Sequence, residues 1–221
     1  MRVALIDYGA GNLHSVAKAL AAAGAEVERT REVRVAAAAD ALVLPGQGHF
    51  GQVMAAFRAS GFERVVRDHL ASGRPFLGIC VGLQLLMEGS DEAPGVPGLG
   101  LLAGRVERFP RDAGSVPHMG WNALEPWGAS PLLDGIPAGA HAFFAHSYVV
   151  HFDGSVRDAG GVAARVGGGA WTNHGTTRFL SAVSSGNVHA TQFHPEKSQR
   201  VGLRVLTNFA ALVRGRAAGA S

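Results

Sequence analysis

Apolar and polar positions follow two alternating patterns from the start of the chain to Glu88. Short apolar runs are typical of buried strands, and between them apolar residues recur at helical spacing. The predicted strands cover residues 2–6, 26–30, 41–44 and a run that begins at Pro75, and the predicted helices cover residues 13–23, 50–59 and 62–72. Strands that alternate with helices predict a parallel, doubly wound sheet, in which ligands bind beyond the carboxyl ends of the strands.

The pattern changes after Gly89, where short β-like runs are separated by turn residues. These runs cover residues 101–109, 121–124, 141–152, 162–166, 179–183 and 188–192, with turns or hairpin ends at the glycines 160–161 and 167–169 and a closing helix over 201–213. The expected fold class is therefore α/β, a doubly wound, mostly parallel sheet with flanking helices plus an antiparallel β extension. We expect a single domain over residues 1–213 and a frayed tail over 214–221.

Composition narrows the class of protein. With 221 residues, 47% of them hydrophobic, the chain can bury a substantial core. The net charge is only +3 and basic residues are scattered without interleaved aromatic residues, so we expect no nucleic-acid binding. No apolar run approaches the roughly 18 residues of a transmembrane helix, and Asp7 comes too early for a signal peptide, so we expect no membrane association. A single cysteine cannot form an internal disulfide, and a free thiol suits the reducing cytoplasm.

That cysteine lies in the motif Gly78-Ile79-Cys80-Val81-Gly82, between an apolar run and a predicted helix. The Gly-x-Ser-x-Gly nucleophile elbow has the same layout. Glycine is needed on both sides because a sharp strand-to-helix turn brings two backbone segments close together. The first turn of a helix also favours a thiolate, because it lies at the positive end of the helix dipole. A buried structural cysteine is the alternative, and the elbow alone does not decide between the two.

A glycine loop follows the predicted strand 41–44. Gly46 and Gly48 flank Gln47, and a backbone with this freedom can present N–H groups to an anion. An ordinary strand-to-helix turn is the alternative.

The segment from Thr191 to Ser198 contains the second candidate catalytic group. In an extended segment, residues two apart point to the same side, so His194 and Glu196 are predicted to face one pocket, with Pro195 favouring that geometry. A histidine beside a carboxylate is the pairing that activates a thiol. A surface histidine in a polar loop is the alternative. With an elbow cysteine in the same chain, the catalytic interpretation is favoured.

The other histidines do not predict a metal site. His141, His146 and His151 recur every five residues, so on one strand they would alternate between faces. The chain has no His-Glu-x-x-His motif and no clustered Cys/His spacing, so we expect no metal.

With its Cys80 and His194 motifs, the chain resembles the class I (triad) glutamine amidotransferases. Within that family it is most similar to the glutaminase subunits of imidazole glycerol phosphate synthases. The narrower resemblance rests on residues 7–12, 45–50, 92–95, 117–122 and 146–148. These stretches occur in family order, so the resemblance covers nearly the whole chain.

The resemblance implies hydrolysis of L-glutamine to glutamate and ammonia, without a cofactor. Cys80 would attack the carboxamide, His194 would transfer the proton and Glu196 would orient His194. The backbone N–H groups of Val81 and Gly48 would form the oxyanion hole.

The resemblance also assigns a set of substrate contacts and a partner surface. The substrate-binding residues would be Gln84, Glu92, Ser147 and Tyr148, and the partner interface would include Lys197, Pro117, Trp121 and Asn122. The implied partner is a separate (β/α)8-barrel cyclase subunit that forms a heterodimer with this chain and receives the ammonia. The cyclase would make imidazole glycerol phosphate and an aminoimidazole carboxamide ribotide, in histidine biosynthesis.

Two positions depart from the family pattern. Gln47 stands where valine is more usual, and His174 stands where tyrosine is usual. A class I glutaminase of pyridoxal phosphate, anthranilate or aminodeoxychorismate synthesis is the nearest alternative, and residues 117–122 argue against it. A non-catalytic binding module is a remote alternative, since Cys80, His194 and Glu196 are all retained.

Overall fold

The computed structural model describes residues 1–151, 155–157 and 163–219. Eight strands form the central sheet: β1 (Arg2–Ile6), β2 (Glu26–Thr30), β3 (Ala41–Gly46), β4 (Phe76–Cys80), β7 (Glu125–Gly128), β12 (Gly168–His174), β13 (Thr177–Ser185) and β14 (Val188–Thr191). Their order across the sheet is β2-β1-β3-β4-β14-β13-β12-β7. Pairing is parallel from β2 through β14 and antiparallel from β14 to β7. The α/β prediction of a mostly parallel sheet with an antiparallel extension is confirmed.

The remaining strands form two-stranded sheets. These strands are β5 (Arg105–Arg108) with β9 (Tyr148–His151), β6 (His118–Ala123) with β8 (His141–His146), and β10 (Ser155–Arg157) with β11 (Ala163–Arg165). The run predicted over 141–152 is therefore divided at Ser147 into two strands that belong to different sheets. Predictions that fall on residue 152, on 160–162 and on 220–221 lie outside the described residues.

Helices cover the sheet. They are α1 (Leu13–Ala22), α2 (Val33–Ala38), α3 (Phe50–Ala59), α4 (Phe62–Ala71), α5 (Val81–Gln84) and α6 (Gln199–Gly219), with 3-10 turns at Pro131–Leu133 and Pro195–Lys197. Every residue of β3 and β4 is buried, which explains their continuous apolar sequence. In the part of the chain that the structure describes, no helix has the length and apolar character to cross a bilayer.

Several predicted boundaries were wrong. The helix after Cys80 ends at Gln84, because the backbone carbonyls of residues 85–88 accept hydrogen bonds from the loop at 98–102 instead of from a further helical turn. The closing helix is longer than predicted and includes residues 214–219, which were assigned to a frayed tail. Helix α2 and strand β7 were not predicted.

The glycines at 168 and 169 are strand residues of β12, not a turn. A Cβ on Gly169 would lie 2.1 Å from the carbonyl oxygen of Ala182, and one on Gly168 would lie 2.6 Å from that of Trp127. Here glycine allows β12 to pack closely between β13 and β7.

The sheet brings three loops to one edge. Gly46 is the register partner of Cys80, and Thr191 is the partner of Ile79, so the carboxyl ends of β3, β4 and β14 lie side by side. The carboxylate of Asp7, at the end of β1, is instead held by the guanidinium groups of Arg29 and Arg31. The site is therefore built around β4 and its two neighbours.

Candidate active site

Cys80 has the strained backbone of a nucleophile elbow. Its φ is 55° and its ψ is −109°, a conformation that non-glycine residues rarely adopt. A Cβ on Gly78 would lie 2.8 Å from the carbonyl oxygen of Gly82, and one on Gly82 would lie 2.0 Å from that of Leu44. The two motif glycines thus let β4 and α5 pack against each other and against β3, which holds the Cys80 side chain at the strand end.

His194 and Glu196 form a buried pair next to Cys80. Nδ1 of His194 lies 2.9 Å from Oε1 of Glu196, and their side chains are 8% and 1% exposed. Burial alone would lower the pKa of His194, but hydrogen bonds to Cys80 and Glu196 and the charges of both groups raise it to about 10. The imidazole is thus held in its protonated form between a sulfur and a carboxylate.

The expected reason for this pairing was wrong in part. His194 is extended, but Pro195–Lys197 is a 3-10 turn, so Glu196 does not share a strand face with His194. The turn folds the carboxylate back against the ring. The two side chains still meet, as the sequence predicted, through a different backbone geometry.

A cleft of about 270 Å³ opens over Cys80. The residues that line it and that the sequence had assigned to catalysis, the oxyanion hole, substrate binding or the partner are Gly48, Cys80, Val81, Gln84, Glu92, Pro117, Ser147, Tyr148, His194 and Lys197. Glu196 lies behind His194, and Trp121 and Asn122 do not reach the cleft. Residues from six separate segments of the chain therefore converge on one thiol.

Backbone and carboxylate groups from other segments also shape the cleft. Gly48 has a φ of +109°, in the region that favours glycine, and it lines the cleft beside Val81. Oε2 of Glu92 accepts a hydrogen bond of 2.7 Å from the backbone N–H of Phe50. Glu92 thereby ties the start of α3 to the cleft and fixes the loop that contains Gly48.

Gln192 is a residue at the nucleophile to which the sequence had assigned no role. It is fully buried, and its Nε2 donates to Sγ of Cys80 at 3.6 Å. Its Oε1 accepts from Nε2 of Gln84 at 3.1 Å. The only available signal was its position two residues before His194, as the last residue of a predicted strand.

The predicted partner-facing residues lie at and beside the cleft mouth. Pro117 and Lys197 line the mouth, and Nζ of Lys197 lies 5.8 Å from the ring centroid of Phe143. On β6, Met119 is 68% and Trp121 is 46% exposed. Large apolar side chains with this exposure, beside a catalytic cleft, are typical of an interface.

A larger cavity, of about 860 Å³, lies far from this chemistry, between β7 and the C-terminal half of α6. Its charged lining residues are Asp134 and Arg216, and it contains neither the thiol nor a histidine. We therefore place the active site in the smaller cleft. Among the described residues, no group of three or more histidine, cysteine, aspartate or glutamate side chains could hold a metal ion.

An elbow thiol that contacts a buried histidine–carboxylate pair defines a cysteine-dependent triad enzyme. The chain belongs to the class I glutamine amidotransferases: the model of the family described as "Glutamine amidotransferase class-I" matches residues 4–212.

The chain is similar to proteins named imidazole glycerol phosphate synthase subunit HisH. It is 54% identical over 208 residues to the imidazole glycerol phosphate synthase subunit HisH of Deinococcus radiodurans, across 94% of this chain and 92% of that one. It is 52% identical over 207 residues to the HisH subunit of Thermus thermophilus, across 93% and 95% of the two chains.

Solved structures share the fold. A crystal structure of a glutamine amidotransferase superposes with a TM-score of 0.69 at 24% identity, covering 96% of this chain and 98% of that one. The structure of PurLQS from Thermotoga maritima gives a TM-score of 0.65 at 18% identity, covering 98% of each chain. At these identities the likeness concerns the fold.

Proposed function

We propose that this chain is the glutaminase subunit of an imidazole glycerol phosphate synthase. It hydrolyses L-glutamine to glutamate and ammonia, and the ammonia passes to a (β/α)8-barrel cyclase subunit. The cyclase joins it with a ribulosyl-formimino carboxamide nucleotide to give imidazole glycerol phosphate and an aminoimidazole carboxamide ribotide. The contact of Cys80 with the buried His194–Glu196 pair is the observation that carries the chemistry. The HisH relatives, matched over nearly their whole length, support the pathway.

The first half of the reaction forms a thioester. In the resting site His194 already holds the proton of the catalytic pair, and Sγ of Cys80 attacks the carboxamide carbon of glutamine. The carbonyl oxygen becomes an oxyanion, which accepts hydrogen bonds from the backbone N–H groups of Val81 and Gly48. His194 then donates a proton to the nitrogen, the C–N bond breaks and ammonia leaves.

The second half releases glutamate. A water molecule gives a proton to His194 and attacks the thioester carbon, and the C–S bond breaks as Cys80 leaves. Glu196 stabilises the imidazolium in both halves, because its buried carboxylate is hydrogen-bonded to Nδ1. Gln84, Glu92, Ser147 and Tyr148 hold the polar ends of glutamine.

The partner docks on the face that bears Met119 and Trp121, with Asn122 on the same strand. Pro117 and Lys197 line the cleft, and the ammonia leaves past them towards the partner. We place the complex in the cytoplasm, where a free catalytic thiol stays reduced.

The test is glutamate release from L-glutamine by the purified chain, alone and with the cyclase subunit and its nucleotide ligand. We expect low activity alone, a sharp rise in the complex, and loss in Cys80→Ala. Activity that does not depend on the cyclase would support glutamine hydrolysis by this chain and contradict its assignment to this pathway. Full activity in Cys80→Ala would show that Cys80 is not the nucleophile. A wild-type chain that is folded but inactive in the complex would favour a non-catalytic binding module.

A further inference from the structure

Two buried histidines connect the exposed strand β6 to the cleft. His118 on β6 and His146 on β8 are register partners, and Nδ1 of His118 lies 3.2 Å from Nε2 of His146. Nε2 of His118 lies 3.2 Å from Nδ2 of Asn122, and Nδ1 of His146 lies 2.8 Å from the carbonyl oxygen of Tyr148. All four ring nitrogens of the two histidines therefore have a partner.

The chemistry of the partners fixes the direction of every bond. The carbonyl of Tyr148 can only accept, so Nδ1 of His146 carries its proton and Nε2 accepts from Nδ1–H of His118. Nε2 of His118 then accepts from the amide of Asn122. That amide is oriented independently, because its Oδ1 accepts from the N–H of Ala123 and its Nδ2 also donates to the carbonyl of Asn173.

Burial keeps both rings neutral, as this pattern requires. It lowers the pKa of His118 to about 4 and that of His146 to about 3, from an ordinary 6.5. In neutral histidine each ring has one donor and one acceptor, and here both are used. A single tautomer of each ring satisfies all the bonds.

The bonds continue from Tyr148 to the nucleophile. The Tyr148 carbonyl also accepts from Nε2 of Gln84 at 3.3 Å, and the same amide donates to Oε1 of Gln192 at 3.1 Å. Nε2 of Gln192 then donates to Sγ of Cys80 at 3.6 Å. An amide N–H directed at sulfur fixes the position of Sγ and stabilises negative charge on it.

We propose that Asn122, His118 and His146 are positioning residues that hold the Tyr148 carbonyl and, through Gln84 and Gln192, orient the Cys80 thiol. These residues form a hydrogen-bond chain from Asn122 to Cys80. It begins on the strand that presents Met119 and Trp121, so a partner that binds this strand acts on the nucleophile through these hydrogen bonds. This inference rests on the proposed function. Packing alone does not account for it, because an aromatic cluster needs no matched set of donors and acceptors.

The aromatic surroundings provide a matched control. The ring of His118 stacks on that of His174, with centroids 4.1 Å apart, and it also packs against Phe144. His174 belongs to the same aromatic cluster, but its Nε2 bonds to the carbonyl of Ser115, which is not part of the hydrogen-bond chain. His118→Phe keeps an aromatic ring and breaks the hydrogen-bond chain, whereas His174→Phe keeps an aromatic ring and leaves the hydrogen-bond chain intact.

The first experiment measures kcat and KM for glutamine in the complex with the cyclase and its ligand. We expect kcat to fall by about 10- to 100-fold in His118→Phe, with a smaller change in KM, because misplacement of a nucleophile has effects of this order. We expect kcat to change by less than about threefold in His174→Phe, since the hydrogen-bond chain is intact in that variant. His118→Asn, which keeps a donor at the Nδ1 position, should recover part of the loss.

Equal losses in the two phenylalanine variants, or no loss in His118→Phe, would overturn the proposal. Absence of activity in the wild-type complex would instead contradict the proposed function. If His118→Phe does not fold, 15N NMR of the wild-type imidazoles decides. Protonation of the His118 and His146 rings at Nδ1 and not at Nε2 supports the hydrogen-bond chain, and a proton on Nε2 of either ring excludes it.

Discussion

Nδ1 of His194 lies 2.9 Å from Oε1 of Glu196, although a 3-10 turn and not a strand connects the two residues. The carboxylate is only 1% exposed, and its second oxygen is buried without a hydrogen-bond partner among the described residues. A buried carboxylate in this position depends on a positive partner. The protonated imidazole is that partner, so the same contact stabilises Glu196 and sets the protonation state of the catalytic base.

Glu196→Gln tests this pairing. The amide lacks the charge that stabilises the imidazolium, so we expect kcat for glutamine hydrolysis to fall by about 10³-fold or more, as in other triads that lose the acid. The pKa of His194, measured by NMR titration, should fall from about 10 towards its ordinary value. Glu107→Gln is the control, because it removes an exposed carboxylate that lies 3.8 Å from His151 and does not line the cleft. A kcat loss no larger than that of the control would contradict the role of Glu196.

Gly82→Ala tests the close packing at the elbow. The new Cβ would lie 2.0 Å from the carbonyl oxygen of Leu44, so β3 and α5 must move apart. We expect the free energy of unfolding to fall by about 1–3 kcal/mol, the usual range for overpacking, as measured by urea denaturation. Gly215→Ala in α6 is the matched control, since its Cβ meets nothing within 4 Å. That variant should gain up to about 1 kcal/mol from helix propensity. Equal effects at both positions would contradict the steric explanation.

Trp121→Ala tests the partner surface. The side chain is 46% exposed on β6, and a buried tryptophan at an interface often contributes 2 kcal/mol or more. We expect the Kd for the cyclase to rise about 30-fold in titration calorimetry, with the melting temperature of the isolated chain nearly unchanged. Leu203→Ala, which removes another large apolar side chain at 42% exposure on α6, should leave Kd unchanged. Wild-type affinity in Trp121→Ala would place the partner elsewhere.

Four buried histidines predict a loss of stability in acid. Burial lowers their pKa values from 6.5 to about 4 for His69, His118 and His189 and to about 3 for His146. Below pH 6.5 the unfolded chain binds protons at these positions and the folded chain does not. Their contribution to stability is therefore complete above pH 6.5 and is lost as the pH falls towards 4. The slope is up to about 1.4 kcal/mol per pH unit for each histidine.

His189→Asn isolates one of these four contributions. Asparagine can keep a hydrogen bond to Ser184, which lies 3.0 Å from Nδ1 of His189, but it does not titrate. Denaturant unfolding between pH 6.5 and 4 should then show a slope smaller by about one proton. An unchanged slope in His189→Asn would show that His189 is not among the coupled groups.

The contribution of His194 to stability has the opposite pH dependence. Its pKa is raised from 6.5 to about 10, so its contribution to stability is complete below pH 6.5 and is lost as the pH rises towards 10. Glu196→Gln should remove part of this alkaline loss, which the same denaturant series measures at high pH.

The sequence by itself determined the features that depend on neighbouring residues. Alternating apolar runs and helical periods predicted the parallel half of the sheet, and the two glycines around Cys80 predicted the elbow. The nearness of His194 and Glu196 followed from their separation of two residues, although the backbone between them is a turn. Such signals are local, because steric limits on a turn and the side-chain period of a strand act over a few residues.

The tertiary structure alone decided which distant residues meet. Gln192 reaches Cys80 across 112 positions, and it does so because β14 pairs with β4. The link from His118 to His146 requires β6 and β8 to pair in one register, and it leaves no periodic trace in the sequence. Whether a buried polar group finds its partner depends on strand order and packing, which are set by the free energy of the whole core and not by any local pattern.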